Sequence, residues 1–439
     1  MGEEKKPIRI LHVVGQLNLG GAESRIMDLY RNIDRDAVQF DFVEHTSAKC
    51  FFEDEITALG GQIYRVPRFR IFNWFGYKRA WKKLFEVHMD KETGKSEFAL
   101  IQGHMTSTAS IYLPIAKKCG VAVSVAHARS AGVDAGIKGF VTKKLRKNLP
   151  DRADFLFTCS DYAAKAVFGQ KAINEKNITF IPNAIDTDKY IFSDELRREV
   201  RKELGIEDKY VFGHVGRFHY AKNHEFLLRI FKEILNKCDN AVLILLGDGG
   251  RMDEMQQLAK TLGIEKQVMF LGAKKDIYRY YPAMDYFVYP SRYEGLPGTV
   301  VEAEASGLKV MMSDEICPEV MVTDLVKTES LSTEPAVWAE KILGDGPFAT
   351  RVGEMAHTGE EQNAGEAVQG SDAVQGSEAV LGSDDGLLKI EVNREAYASQ
   401  VALAGFDVKA QAKLMKAFYE KAAGRSTNAG TDENPQAMT

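Results

Sequence analysis

The sequence predicts an α/β protein built from two doubly wound, Rossmann-like domains that face each other. Three observations carry this expectation. Short apolar runs alternate with helical patterns through most of the 439 residues. The alternation starts afresh near Lys209, with a new strand and a new glycine. No run approaches the ~18 apolar residues that a membrane-spanning helix needs. Strands alternating with helices build a parallel sheet covered on both faces.

The elements follow in order. Residues 8–14 read as the first strand and 23–31 as a helix. Strands are expected at 40–43 and 62–66 with a helix between them. A strand at 98–102, a helix at 108–119 and strands at 122–126 and 155–159 complete the first series. The second series runs from a strand at 210–215 and a helix at 223–235 to a strand at 241–246 and a helix at 252–262. Strands at 267–271, 286–290 and 309–312 close it. The joint falls near Ile181-Pro182-Asn183-Ala184-Ile185-Asp186, so the domains are expected at 1–185 and 186–343. Residues 344–386 are rich in Gly, Ala, Ser and Glu. They hold a six-residue repeat from Ala367 to Asp384, and the composition predicts a disordered insertion rather than a β-helix. Helical patterns return at 394–403 and 408–422, inside a C-terminal segment 387–423. The polar tail 424–439 reads as disordered.

Bulk composition narrows the function classes. A net charge of −5 argues against a general nucleic-acid binder. Cys50, Cys119, Cys159, Cys238 and Cys317 are scattered with no Cys-x-x-Cys. That pattern offers neither a zinc site nor a disulfide framework and fits a reducing cytoplasm.

The most informative stretch runs from Tyr289 to Glu302. Glu294 and Glu302 are separated by seven residues, and Gly295-Leu296-Pro297-Gly298 between them should open a helix after a strand. A helix N-terminus offers backbone N–H groups and a positive dipole end to an anion. Carboxylates beside it suit hydroxyl groups, which donate to them. Phosphate plus polyhydroxyl points to a nucleotide sugar. Arg217 and Lys222 stand at a strand end and a helix start. A cation at a helix N-terminus is mildly unfavourable, so Lys222 is expected to have an anionic partner. With the helix after Gly295, the two cations suit a diphosphate without a metal. Gly20 and Gly21 allow close backbone approach after the first strand. Gly15 and Gly20 match the start of an ATP-type loop, but Gly21-Ala22 stand where Lys and Ser or Thr belong. His104 and His127 follow strands of the first domain, so at least one is expected in the site; His45 and His214 rank lower. Asp186-x-Asp188 reads as a capping turn rather than a metal site.

These residues resemble family-4 glycosyltransferases of the GT-B fold, above all those of capsular and exopolysaccharide synthesis. The motifs are Leu19-Gly20-Gly21-Ala22-Glu23, residues 180–186, Val215-Gly216-Arg217 with Lys222-Asn223, and the Glu-x7-Glu segment running on to Gly307. The resemblance covers about residues 8–343 and 394–422. It implies retaining, metal-independent transfer of a sugar from a nucleotide diphosphate, with UDP-sugars favoured and no cofactor. The expected acceptor is a saccharide or a saccharide linked to a polyprenyl diphosphate. Arg217, Lys222, Gly20, Gly21, Leu296, Pro297 and Gly298 would hold the donor diphosphate, and Glu302 the ribose. Glu294 would contact the donor sugar, and His127 would sit near the reacting carbon. The last helix would cross back to the first domain. Gly307-Leu308-Lys309-Val310, where the family has Pro before Val, and Ala184 for Gly depart from the pattern without removing a polar site group; the insertion departs further.

Two rival readings remain, a nucleotide-sugar epimerase on the same fold and a non-catalytic binder; a dinucleotide dehydrogenase lacks its glycine fingerprint. Residues 65–83 are basic and aromatic with no acid: Arg65, Arg68, Arg70, Lys78, Arg79, Lys82 and Lys83 among Phe69, Phe72, Trp74, Phe75, Tyr77 and Trp81. Lys143, Lys144, Arg146 and Lys147 form a second basic cluster. Such segments suit nucleic acid, an anionic membrane surface or a solvated helix face; the membrane reading gives an expected place in the cytoplasm, peripheral on the inner membrane face.

Overall fold

The computed structural model describes residues 6–129, 136–345 and 393–424. The repeat segment and the tail after Gly424 lie outside the described residues. The first series comprises β1 (Ile8–Val13), α1 (Gly21–Asn32), β2 (Val38–Glu44), α2 (Glu53–Ala58), β3 (Ile63–Arg65), α3 (Trp74–Val87), β4 (Phe98–Gly103), α4 (Thr106–Lys118), β5 (Val123–Ala128), α5 (Gly136–Lys147), β6 (Phe155–Thr158), α6 (Asp161–Glu175) and β7 (Ile178–Phe180). The second comprises α7 (Asp194–Leu204), β8 (Tyr210–Val215), α8 (His224–Leu235), β9 (Ala241–Leu246), α9 (Met252–Thr261), β10 (Val268–Gly272), β11 (Tyr286–Tyr289), α10 (Gly298–Ala305), β12 (Lys309–Ser313), β13 (Val326–Glu329) and α11 (Pro335–Asp345). Two helices follow, α12 (Ala396–Val401) and α13 (Val408–Ala422).

The first sheet has seven parallel strands in the order β3-β2-β1-β4-β5-β6-β7. The second has six in the order β10-β9-β8-β11-β12-β13, also parallel. Strand order reverses between β1 and β4 in one sheet and between β8 and β11 in the other. Ligands bind at such reversals, outside the carboxyl ends of the strands.

The inner strands are apolar because both faces are covered; β9, Ala-Val-Leu-Ile-Leu-Leu, is buried throughout. On α3, Tyr77, Trp81 and Phe85 recur every four residues and go into the core. Two of the six aromatics in residues 65–83, Tyr77 and Trp81, are therefore core, not surface. Arg65 is taken by Glu44 and Glu53, at 3.0 and 2.7 Å, and Arg146 is buried. The rest of both basic segments stays outside.

The chain returns from the second domain through residues 406–408. Ile185 N donates to Phe406 O and Val408 N to Ile185 O, both at 2.8 Å. Helix α13 then completes the first domain's core: Val408, Ala412, Met415 and Tyr419 pack with Ile10, Phe40 and Phe42. Gln411 Nε2 donates to Pro182 O at 2.8 Å. No helix among the described residues is long and apolar enough to cross a membrane.

Candidate active site

The segments after β1, β6 and β7 touch those after β8 and β11 across a cleft. Arg217 Nη2 donates to Leu19 O at 3.1 Å. Asn183 Nδ2 donates to Leu296 O at 2.8 Å. Ser160 Oγ donates to Gly295 O at 3.3 Å. Arg25 Nη2 lies 2.9 Å from Glu302 Oε1. Of the sequence-predicted site residues, Arg217, Leu296 and Glu302 make these contacts, and Gly20 and Gly298 lie against Arg217 and Arg25.

The loop carrying Arg217 is held from behind. Gly216 N donates to Leu246 O and Phe218 N to Asp248 O, both at 2.9 Å. Gly247 and Gly249 have φ of 144° and 153°, and a Cβ on either would lie 2.1 and 2.5 Å from the carbonyl oxygens of Gly216 and Phe218. Only glycine permits that approach. The two front glycines differ. A Cβ at Gly20 would strike Glu23 Oε2 at 2.4 Å and lie 3.2 Å from Arg217 Nη2, whereas one at Gly21 would meet nothing within 4 Å. Gly20 is fixed by its neighbours, and Gly21 borders open space.

Lys222 does find an anion, but inside the protein. Its Nζ lies 2.8 Å from Glu294 Oε1, hydrogen-bonds the Tyr289 hydroxyl and sits 4.6 Å from that ring's centroid. The expectation that its charge waits for a ligand is corrected in this respect: the opening glutamate is the partner. Burial disfavours the ammonium, but Glu294 and Tyr289 outweigh it and raise its pKa. Asn223, with φ 56°, makes the left-handed turn into α8, and its Oδ1 accepts from Arg292 at 2.7 Å.

Helix α10 begins at Gly298 after Leu296 and Pro297, which are buried. One turn in, Glu302 is 2% exposed and accepts from Tyr281 OH at 2.7 Å as well as pairing with Arg25. Burial raises its pKa, and Arg25 and Tyr281 pull it back. Glu304, two residues on, faces away from the cleft. Its Oε2 accepts from Val322 N, Thr323 N and Thr323 Oγ1 at 2.9, 2.6 and 2.8 Å, while Oε1 is buried without a partner. Burial pushes its pKa up to about 8.

The opposite wall is a buried histidine cluster. Gln102 Oε1 accepts from Tyr419 OH at 2.7 Å, so its amide donates to His127 Nδ1 at 2.8 Å. His127 thus carries its proton on Nε2, which is buried with no protein partner. His104 lies between His12, at 3.0 Å, and Arg129 Nε, at 3.2 Å. Arg129 Nη1 also donates to Asn183 Oδ1 at 2.9 Å. Burial and the nearby Arg129 charge push His12 down to about 3 and lower His104 and His127 well below the ordinary imidazole range. These imidazoles are neutral hydrogen-bonding groups. His214 instead bonds Val288 O within its own domain, at 2.9 Å, and His45 bonds Val66 O at 3.0 Å.

Sequence reasoning missed Arg25, Arg129, His12, Gly247 and Gly249. The Gly-Asp-Gly-Gly run after β9 was the available signal for the glycines. For Arg25 it was a charge on the inward face of α1. Asp186 and Asp188 both pair with Lys409, in keeping with a turn. Among the described residues one trio of metal-type ligands converges, Glu44, Cys50 and Glu53. Arg65 already bridges its two carboxylates.

This fold and cleft define a glycosyltransferase of the GT-B class. The glycosyltransferase family 4 pattern matches residues 19–189, and glycosyl transferases group 1 matches 197–343. The glycosyltransferase EpsF of Bacillus subtilis is 33% identical over 339 residues, covering 76% of this chain and 86% of EpsF. The capsular polysaccharide biosynthesis glycosyltransferase CapH of Staphylococcus aureus is 23% identical over 76% of this chain and 90% of CapH. The solved structure of Anabaena HepE with UDP and glucose aligns with a TM-score of 0.65 at 19% identity, over 93% of this chain and 98% of HepE. The chain belongs to glycosyltransferase family 4.

Proposed function

We propose that this enzyme transfers a sugar, with retention and without a metal, from a nucleotide-diphosphate sugar to a lipid-linked saccharide in capsular or exopolysaccharide synthesis. UDP-sugars are the favoured donors. The supporting observation is the convergence of Arg217, Lys222, Glu294 and the start of α10 at one strand-order reversal, opposite Gly20, Gly21 and His127. The UDP in the HepE structure and the capsular role in CapH's name favour the same reading.

Breaking the sugar–phosphate bond builds negative charge on the departing diphosphate and positive charge on the ring. Lys222 carries three N–H donors. Glu294 and Tyr289 engage two, and the third serves a phosphate oxygen. Arg217 and the first N–H groups of α10 serve the others. Such a contact is worth ~3 kcal/mol in a water-excluded site. Glu294 orients the donor sugar through its remaining oxygen. The acceptor hydroxyl attacks from the leaving-group side, and the departing phosphate takes its proton. His127 Nε2–H donates to a sugar hydroxyl, and Glu302 binds the ribose.

Helices α3, α4 and α5 form one layer on the first sheet. The N-termini of α3 and α5 lie at its cleft edge, because each follows a parallel strand. There Ile71, Phe72 and Phe75 are 56%, 82% and 86% exposed, and Ile137 and Phe140 are 77% and 69% exposed. Arg68, Arg70, Lys78, Arg79, Lys143 and Lys144 surround them and are exposed. Apolar tips within a basic field suit an anionic bilayer that presents a lipid-linked acceptor beside the cleft.

The deciding experiment measures UDP binding and sugar turnover in Arg217→Ala. Turnover falls by about 10²-fold or more with unchanged thermal stability. Wild-type turnover in this variant would refute the assignment. Donor incubated alone tests the epimerase alternative: an isomerised sugar would favour it.

A further inference from the structure

Arg25 is a buried cation that the transfer reaction does not explain. Helix α1 turns it inward, where its side chain is 9% exposed. One nitrogen, Nη2, reaches Asp28 Oδ2 in its own helix at 3.0 Å and Glu302 Oε1 in the opposite domain at 2.9 Å. The other nitrogen, Nη1, makes no hydrogen bond of good geometry, although the Tyr190 hydroxyl lies beside the guanidinium. The guanidinium lies against the start of α10: a Cβ on Gly298 would be 3.8 Å from Nη1. That is the positive end of the helix dipole, which disfavours a cation. Arg25 is thus well paired on one side and poorly placed on the other.

Its partner is the glutamate assigned to the donor ribose. In this closed cleft Tyr281 takes one oxygen of Glu302 and Arg25 takes the other. Tyr281 belongs to the same domain and can stay. A ribose hydroxyl has no path to a carboxylate that is 2% exposed while α1 covers it.

We propose that Arg25 is a positioning residue that clasps Glu302 across the cleft and must release it to the donor ribose. The clasp couples donor entry to separation of α1 from α10. It also keeps Glu302 oriented until the exchange. This inference rests on the reading of Glu302 as the ribose ligand.

The test titrates UDP into the full-length wild type, Arg25→Gln, Arg25→Lys and Arg25→Gln with Glu302→Ala by calorimetry, with small-angle scattering of each protein without UDP. If the clasped state dominates by about ten to one, losing it tightens UDP binding about tenfold. Arg25→Gln is expected to show that gain together with a larger radius of gyration. Arg25→Lys keeps the charge beside Asp28 but falls short of Glu302, so it shifts both readouts in the same direction. Donor KM falls in both variants, whereas a structural lesion would weaken binding and lower kcat. Unchanged or weaker UDP binding in both Arg25 variants overturns the clasp. Glu302→Ala made on the Arg25→Gln background, where the clasp is already gone, overturns the ribose assignment instead if UDP binding stays as tight as in Arg25→Gln, and the clasp's purpose with it. Loss of binding there, with no gain in the Arg25 variants, sinks the clasp alone.

Discussion

Arg217 and Lys222 serve the same diphosphate in the proposed reaction, yet their surroundings differ. Arg217 is exposed and makes one contact to a backbone carbonyl across the cleft. Lys222 is mostly buried between Glu294 and Tyr289. Removing one partner of a buried pair leaves the other charge uncompensated, at ~3–5 kcal/mol for a fully buried case. Lys222→Met should therefore lower both turnover and melting temperature, whereas Arg217→Ala lowers turnover alone. Paired melting curves and turnover measurements separate the two. A Lys222→Met protein as stable as wild type would contradict the ion-pair argument. The motif residues were legible because each sits in a contiguous run with its strand or helix. The partner of Lys222 was misjudged because a dipole argument sees the helix but not the glutamate beyond it. Arg25 was illegible because Glu302 lies 277 residues away.

At the scale of elements, α10 is the part on which donor binding depends, and two devices set its position. Gly307 ends it with φ 64°, and a Cβ there would lie 2.6 Å from Arg394 Cα. Gly307→Ala should cost several kcal/mol and raise donor KM by shifting Glu302; denaturant unfolding and donor titration would show it. Glu304 ties the other side to residues 322–323. Its folded pKa of about 8 lies above the ordinary value of ~4.3, so the folded state prefers the protonated acid. Its stabilisation is complete below about pH 4.3 and is lost as pH rises toward 8. At ~1.4 kcal/mol per unit, a few kcal/mol are involved. The wild type should lose melting temperature between pH 5 and 8 more steeply than Glu304→Gln, which accepts the same three hydrogen bonds. Parallel slopes would show that Glu304 is ionised throughout. Eleven strands were readable within a residue or two, because buried parallel strands are continuous apolar runs; the short edge strands β7 and β13 were not placed. Helices α3, α5, α6, α7 and α11 were not placed either: the polar faces of α5, α6 and α7 blurred the period, and α6 is broken by Gly169 at φ 82°.

At the scale of the whole molecule, two facing domains with doubly wound sheets followed from the repeated alternation. The strand order within each sheet and the contacts that join the domains, such as Asn183 to Leu296, did not. The rim of α3 and α5 gives a prediction at this scale. Phe72→Glu with Phe75→Glu should abolish flotation with anionic vesicles at low salt, with donor binding intact. Equal flotation of variant and wild type would remove the membrane from the proposal. The returning helix α13 has a further consequence, for the order of events during synthesis. The first domain's core is missing Val408, Ala412, Met415 and Tyr419 until the chain's end has been made. The ribosome must first add the whole second domain, at ~5–20 residues per second. For on the order of tens of seconds the first sheet exists with one face covered only in part, by α1 and α2. The domain synthesised first is therefore the last to be finished, and a ribosome stalled before residue 408 leaves it open to chaperones and proteases.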